Sequence, residues 1–135
     1  MDIYKTKKAK YAGTSFSEIR KNAEYDYKKI ILHTKRAPYI RSKYFHREKI
    51  FLSLFWRHLF DKNEKERIIR LRFFNCAIDL LRNTTYNPVT RENYKQKNEL
   101  LHRFTGVVGR DHFVVQVKEN KRSKRKDLIS IYPIN

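Results

Sequence analysis

Acidic residues are scarce in this 135-residue chain: 14 Asp and Glu stand against 32 Lys and Arg, a formal charge of +18. That imbalance goes far beyond what solubility asks of a small domain, and it points to a polyanionic partner. Glycine is also rare. With only Gly13, Gly106 and Gly109 present, a dinucleotide-binding fingerprint, a phosphate-cradling P-loop and a serine-hydrolase elbow are all excluded. Cys76 is the single cysteine, so no intrachain disulfide can form, and its apolar neighbours mark it as a core filler. The longest strongly apolar run, "IFLSLFW", is too short to cross a bilayer, and no apolar stretch follows the basic "MDIYKTKKAK". A soluble cytoplasmic chain with no membrane partner is expected. His33, His46, His58 and His112 have no metal-ligand spacing with one another or with Cys76, so neither a metal nor a cofactor is expected.

Apolar residues are not lacking. At 40% hydrophobic and 14% aromatic the chain carries more burial than a disordered polyelectrolyte, and its length suits one domain over 1–135. In "TSFSEIRKNAEYDYKKIIL" Ser15 and Glu18 have capping-box spacing before a helical period, which predicts a helix over about 16–33. "HTKRAPYIRSKY" reads as a basic connector. "HREKIFLSLFWRHLF" and "DKNEKERIIRLRFFNCAIDLLRN" predict a second and a third helix, so the helical part covers about 14–83. Residues 84–98, with Asn87-Pro88, read as a loop.

Beyond the loop the period changes from 3.6 to two. "ELLHRFTGVV", "HFVVQVKEN" and "KDLISIYPI" predict three antiparallel strands over about 99–134. The expected fold is therefore α+β, about three N-terminal helices packed on one face of a small antiparallel sheet. Alternation puts Phe113, Val115 and Val117 on the core side, with Ile129 and Ile131 in the next strand and Val117 opposite Ile129. Gln116 then falls opposite Ser130. A tight loop of even length at Gly109 adds Phe104 to the core side, so Arg103, Gln116, Lys118, Ser130 and Tyr132 share the other, open side. The basic run Lys121, Arg122, Lys124 and Arg125 forms the rim, where contacts to RNA phosphates are expected, and Tyr132 is placed to stack on a nucleotide.

The order of these pieces, helices followed by "LLHRFTG", "FVVQVKEN" and "DLISIYP", resembles the barnase, EndoU, colicin and RelE-like nuclease superfamily, closest to its phage-associated members. The resemblance covers about the last 40 residues well and the helices only by arrangement. It implies a metal-independent endoribonuclease, toxin-like or effector-like, with tRNA, mRNA or ribosome-associated RNA as partner and a neutralising antitoxin or immunity protein as a possible second one. Carried over, it points to His102, Arg103, Gln116, Lys118, Glu119 and Ser130 as catalytic. Such chemistry needs a base, an acid and a cation: His102 suits proton transfer with Glu119 as its partner, and Lys118 and Arg103 supply charge. The alternation nevertheless puts His102 and Glu119 on the side opposite Arg103 and Lys118. Two alternatives compete, a non-catalytic basic RNA-binding module and, more remotely, a metal-dependent nuclease built on Asp111, Glu119 and Lys121 in the order Asp…Glu-x-Lys.

Overall fold

A computed structural model describes residues 2–134. Among these, four helices and seven strands follow the order β1 (Tyr4–Lys5), α1 (Phe16–Leu32), β2 (Tyr39–Ser42), β3 (Glu48–Phe51), α2 (Ser53–Phe60), α3 (Glu64–Leu71), α4 (Phe74–Asn83), β4 (Val89–Glu92), β5 (Glu99–Val108), β6 (Asp111–Asn120) and β7 (Lys126–Ile134). The strands make one mixed sheet in the order β1-β5-β6-β7-β3-β2, with β4 also on β5. Pairings of β1 with β5 and of β3 with β7 are parallel; the others are antiparallel.

Three helices over a simple antiparallel sheet is therefore the wrong architecture. The expected second helix begins with a strand: Glu48–Phe51 pairs with β2 on one side and with the start of β7 on the other. Four residues with only Ile50 and Phe51 apolar do not distinguish the two periods, and here a distant partner decides. The basic connector contributes β2, and the expected loop contributes β4. The expected third helix breaks at Arg72 and Phe73. Consecutive residues on an unbroken helix point about 100° apart. The break lets Phe73 stack on Phe113, with 5.4 Å between ring centroids, while Phe74 stacks on Phe55 at 5.7 Å, both rings buried.

Helix α1 starts where the spacing predicts, with Ser15 Oγ accepting a hydrogen bond from the Glu18 N–H. The β5–β6 hairpin turns tightly at Gly109 and Arg110, pairing Phe104 with Val115 and Arg103 with Gln116. Gln116 lies opposite Ser130 as the alternation predicts, but a bulge follows, and Val117 pairs with Leu128 rather than Ile129. Leu128 is fully buried and replaces Ile129 in the core. Gly106 has a steric role: a Cβ there would sit 2.5 Å from the Phe113 ring and 2.8 Å from Leu80.

The N-terminal segment is held by Asp79 of α4. Its Oδ2 accepts from the Tyr4 hydroxyl at 3.1 Å, the Thr6 hydroxyl at 2.7 Å and the Lys7 N–H at 2.9 Å, while Asn83 donates to Oδ1 at 2.9 Å. Burial alone would raise the carboxyl's pKa, but these donors outweigh it and hold it below the usual range. Burial and the Asp79 charge push Tyr4 up to about 12. Asp79→Ala should destabilise the fold by about 2–4 kcal/mol in chemical denaturation, because several donors lose one acceptor. Because the folded pKa is depressed, this contribution is present above the unfolded carboxyl pKa and is lost as pH falls through the folded value. Asp79→Ala should flatten that acid limb, and an unchanged limb would refute the clip.

Candidate functional site

The antiparallel core of β5, β6 and β7 sets up two polar surfaces on opposite faces. On the face away from the helices, register aligns Arg103, Gln116 and Ser130 in one row across three strands; Leu101, Lys118 and Asp127 make the next row, and Thr105, Val114 and Tyr132 the row on the other side. The helices pack on the opposite face, where Phe73 meets Phe113 and Leu80 reaches Gly106. Arg103 is exposed and its Nε donates to Gln116 Oε1 at 2.9 Å. Lys118 Nζ lies 3.6 Å from Glu99, and Arg125 Nε lies 3.3 Å from the buried Asp127. A depression of about 290 Å³ opens between Arg57, Glu99, Lys118, Arg125 and Asp127.

Two arginines missed by sequence reading extend this face around the β7 edge. Arg57 of α2 lines the depression, and Arg70 of α3 donates to Ser130 Oγ at 3.0 Å while its guanidinium lies 5.7 Å from the Tyr132 ring centroid. Tyr132 thus already carries a cation on its ring. Helical spacing gives no sign of either reach, which depends on how α2 and α3 lie beside β7. On the rim, Asn120 Oδ1 accepts from the Arg122 and Ser123 N–H groups and shapes the loop. Arg122 and Lys124 are exposed, Lys121 is paired with Glu92, and Arg125 lies over Phe51 at 4.0 Å.

His102 and Glu119 lie on the core face. Five neighbouring strands each contribute one side chain to a continuous polar chain there: Thr90 of β4, His102 of β5, Glu119 of β6, Lys126 of β7 and Glu48 of β3. His102 Nδ1 is 2.8 Å from Thr90 Oγ1 and Nε2 is 2.8 Å from Glu119 Oε1. Lys126 Nζ lies 3.7 Å from the other Glu119 oxygen and donates to Glu48 at 2.5 Å and to the Lys124 carbonyl at 2.9 Å. That hydrogen bond holds the Glu48 carboxyl below the usual range. The middle of the chain is covered: His102 is 5% exposed and Lys126 3%. The Phe45 ring packs edge-on to His102 at 5.0 Å and lies 4.9 Å from the Lys126 ammonium.

The sheet therefore separates the six residues that the resemblance brings together. Arg103, Gln116, Lys118 and Ser130 share the open face, whereas His102 and Glu119 sit behind it, both imidazole nitrogens already engaged. Sequence reading missed Thr90, Glu48 and Lys126, although Lys126 falls two residues before the buried Leu128 and so on the same face. Asp111 and Glu119 stand eight residues apart along β6, about 26 Å for an extended strand, and Asp111 pairs with Lys10 at 2.5 Å. One metal ion cannot span that separation, which removes the Asp…Glu-x-Lys reading. Cys76 is fully buried, its Sγ donating to the Lys8 carbonyl at 3.3 Å, and burial pushes the thiol up to about 11. No family model, curated protein or solved structure matches the chain. Among the described residues no helix is long and apolar enough to cross a membrane.

A buried ammonium between two carboxylates costs little only while both partners remain. Lys126→Ala, which leaves the largely buried Glu119 with His102 as its one remaining partner among the described residues, should therefore cost about 3–5 kcal/mol of folding free energy. Arg122→Ala on the exposed rim should stay within about 0.5 kcal/mol. Equal losses in urea titrations would show that the chain of charges does not hold the strands.

Proposed function

We propose that this chain is an RNA-binding domain that engages single-stranded RNA across the open face of β5, β6 and β7. The carrying observation is the in-register row Arg103, Gln116 and Ser130 with Lys118 beside it. Cations for phosphate stand next to an amide and a hydroxyl that can pair with ribose 2′-hydroxyls. Arg57, Arg70 and the rim residues Arg122 and Lys124 enlarge the positive surface, in keeping with the +18 charge. On this reading we take the cytoplasm as the place where the protein works.

Affinity should fall linearly with log salt, as condensed counterions are released. Arg103→Ala/Lys118→Ala should weaken binding about tenfold and make that slope shallower by about 0.7 for each single-strand phosphate no longer neutralised. Fluorescence anisotropy with matched RNA and DNA oligonucleotides reads both quantities. Equal affinity for the two sugars would remove the ribose contacts, and wild-type affinity in the double variant would remove the site.

Metal-independent RNA cleavage is the second reading, and the hydrogen-bonded series Thr90, His102 and Glu119 favours it. A histidine between a hydroxyl and a carboxylate can take or give a proton, and Thr90 carries that series to the exposed surface of β4. The thickness of the sheet between His102 and the cations puts binding ahead of cleavage. If the chain cuts RNA, a chelator should not stop it and the products should end in 2′,3′-cyclic phosphate or 3′-phosphate. His102→Ala and the more conservative His102→Gln should each lower turnover about 10²-fold or more while anisotropy remains near wild type. A neutralising partner belongs to this reading alone.

A further inference from the structure

A second basic concavity lies on the helical side of the sheet, where the end of α1, strand β2 and helix α4 meet. Its volume is about 450 Å³, and its wall carries Lys8, Lys29, His33, Arg41 and Arg82. Asp26 is the one carboxylate in that wall, and it already accepts a hydrogen bond from the buried Tyr11 hydroxyl at 2.6 Å. Lys29 reaches Asp26 only at 3.8 Å. Arg41 bonds the Arg47 carbonyl at 2.9 Å, and neither Lys8 nor Arg82 forms a side-chain hydrogen bond or ion pair among the described residues. Ile30, Phe74 and Ile78 form an apolar floor.

Cations on a solvated surface are usually interspersed with acids, as Arg20 is with Glu24 on α1. Here they converge on one hollow from three elements and the N-terminal segment, and the only acid is occupied. A hollow of that size holds a single nucleotide rather than a stacked duplex. Low-dielectric walls strengthen the field of the charges around them. We propose that this concavity binds the phosphate of a nucleotide, as a second contact point for the RNA held on the open sheet face. It rests on the RNA-binding reading for its ligand, and the phosphate chemistry can come either from the RNA backbone or from a free nucleotide.

The test pairs Lys8→Ala/Arg41→Ala/Arg82→Ala with the sheet-face variant Arg103→Ala/Lys118→Ala, after circular dichroism and thermal melting show both folded. Each is titrated with a fluorescein-labelled 20-nucleotide RNA and, separately, with AMP observed by NMR. We expect the triple variant to bind RNA about tenfold more weakly, with a salt slope shallower by about 0.7 for each phosphate it fails to neutralise. If wild-type protein also binds AMP and the triple variant does not, a free nucleotide shares the site; loss confined to RNA assigns it to the backbone. RNA affinity and slope unchanged in the triple variant, while the sheet-face variant weakens, would overturn this inference and leave the RNA-binding reading in place. If wild-type protein binds no RNA, that reading falls, and the AMP titration alone then decides: binding lost in the triple variant upholds the phosphate site, and absent or unaltered AMP binding overturns it. Should the triple variant fail to fold, Lys8→Glu/Arg82→Glu at two exposed positions carries the same comparison.

Discussion

One buried ammonium group constrains this fold more than any other single atom. Lys126 Nζ lies between Glu119 and Glu48 with the Lys124 carbonyl as a third acceptor. An isolated charge at that depth is prohibitively costly, so β3, β6 and β7 have to meet there in one register. The short strand β3 gains a position that its four residues could not fix by hydrogen bonds alone. His102 and Thr90 then continue the polar chain to β4 and tie the other side of the sheet to the same centre. A substitution by well-packed apolar side chains can match such a cluster in stability, but it does not specify strand neighbours as a set of matched charges does.

The same sheet performs two different tasks on its two faces. Alternation sends Phe104, Val115 and Val117 inward with His102 and Glu119, and sends Arg103, Gln116 and Lys118 outward. Because the polar chain belongs to the inner face, the outer cations Arg103, Lys118 and Arg125 have only the solvent-side partners Gln116, Glu99 and Asp127. The arginines of α2 and α3 reach around the β7 edge to join them, so the helical layer serves the outer surface although it packs on the inner one. Binding and stability are thus carried by nearly separate sets of residues.

How much of this was legible in the sequence follows from the range of each signal. Ser15 and Glu18 announce α1 because a capping box is complete within four residues. The β5–β6 hairpin was legible through a period of two on both sides of Gly109, and with it the division of His102 from Arg103. Strand β3 was not, since "EKIF" fits either period and the partner that brings it into the sheet lies as far away as Lys126. The bulge at Ile129 also escaped, because "DLISI" offers Leu128 and Ile129 side by side as core candidates and only packing chooses Leu128. The Asp79 clip joins α4 to Tyr4, Thr6 and Lys7, a long-range convergence with no local spacing to reveal it.

Parallel pairing of β3 with β7 has a consequence for the order in which the protein can form. Strands β2 and β3 and helix α2 are synthesised early, yet β3 has no sheet to join until β7 exists. β1 likewise waits for β5. Loop closure over such separations must precede the contacts that reward it, so the rate-limiting step is set by topology rather than by helix formation. On the ribosome the helices emerge with their apolar faces uncovered. Native structure is then reached late, when β7 inserts between β6 and β3 and joins the β2–β3 pair to the rest of the sheet.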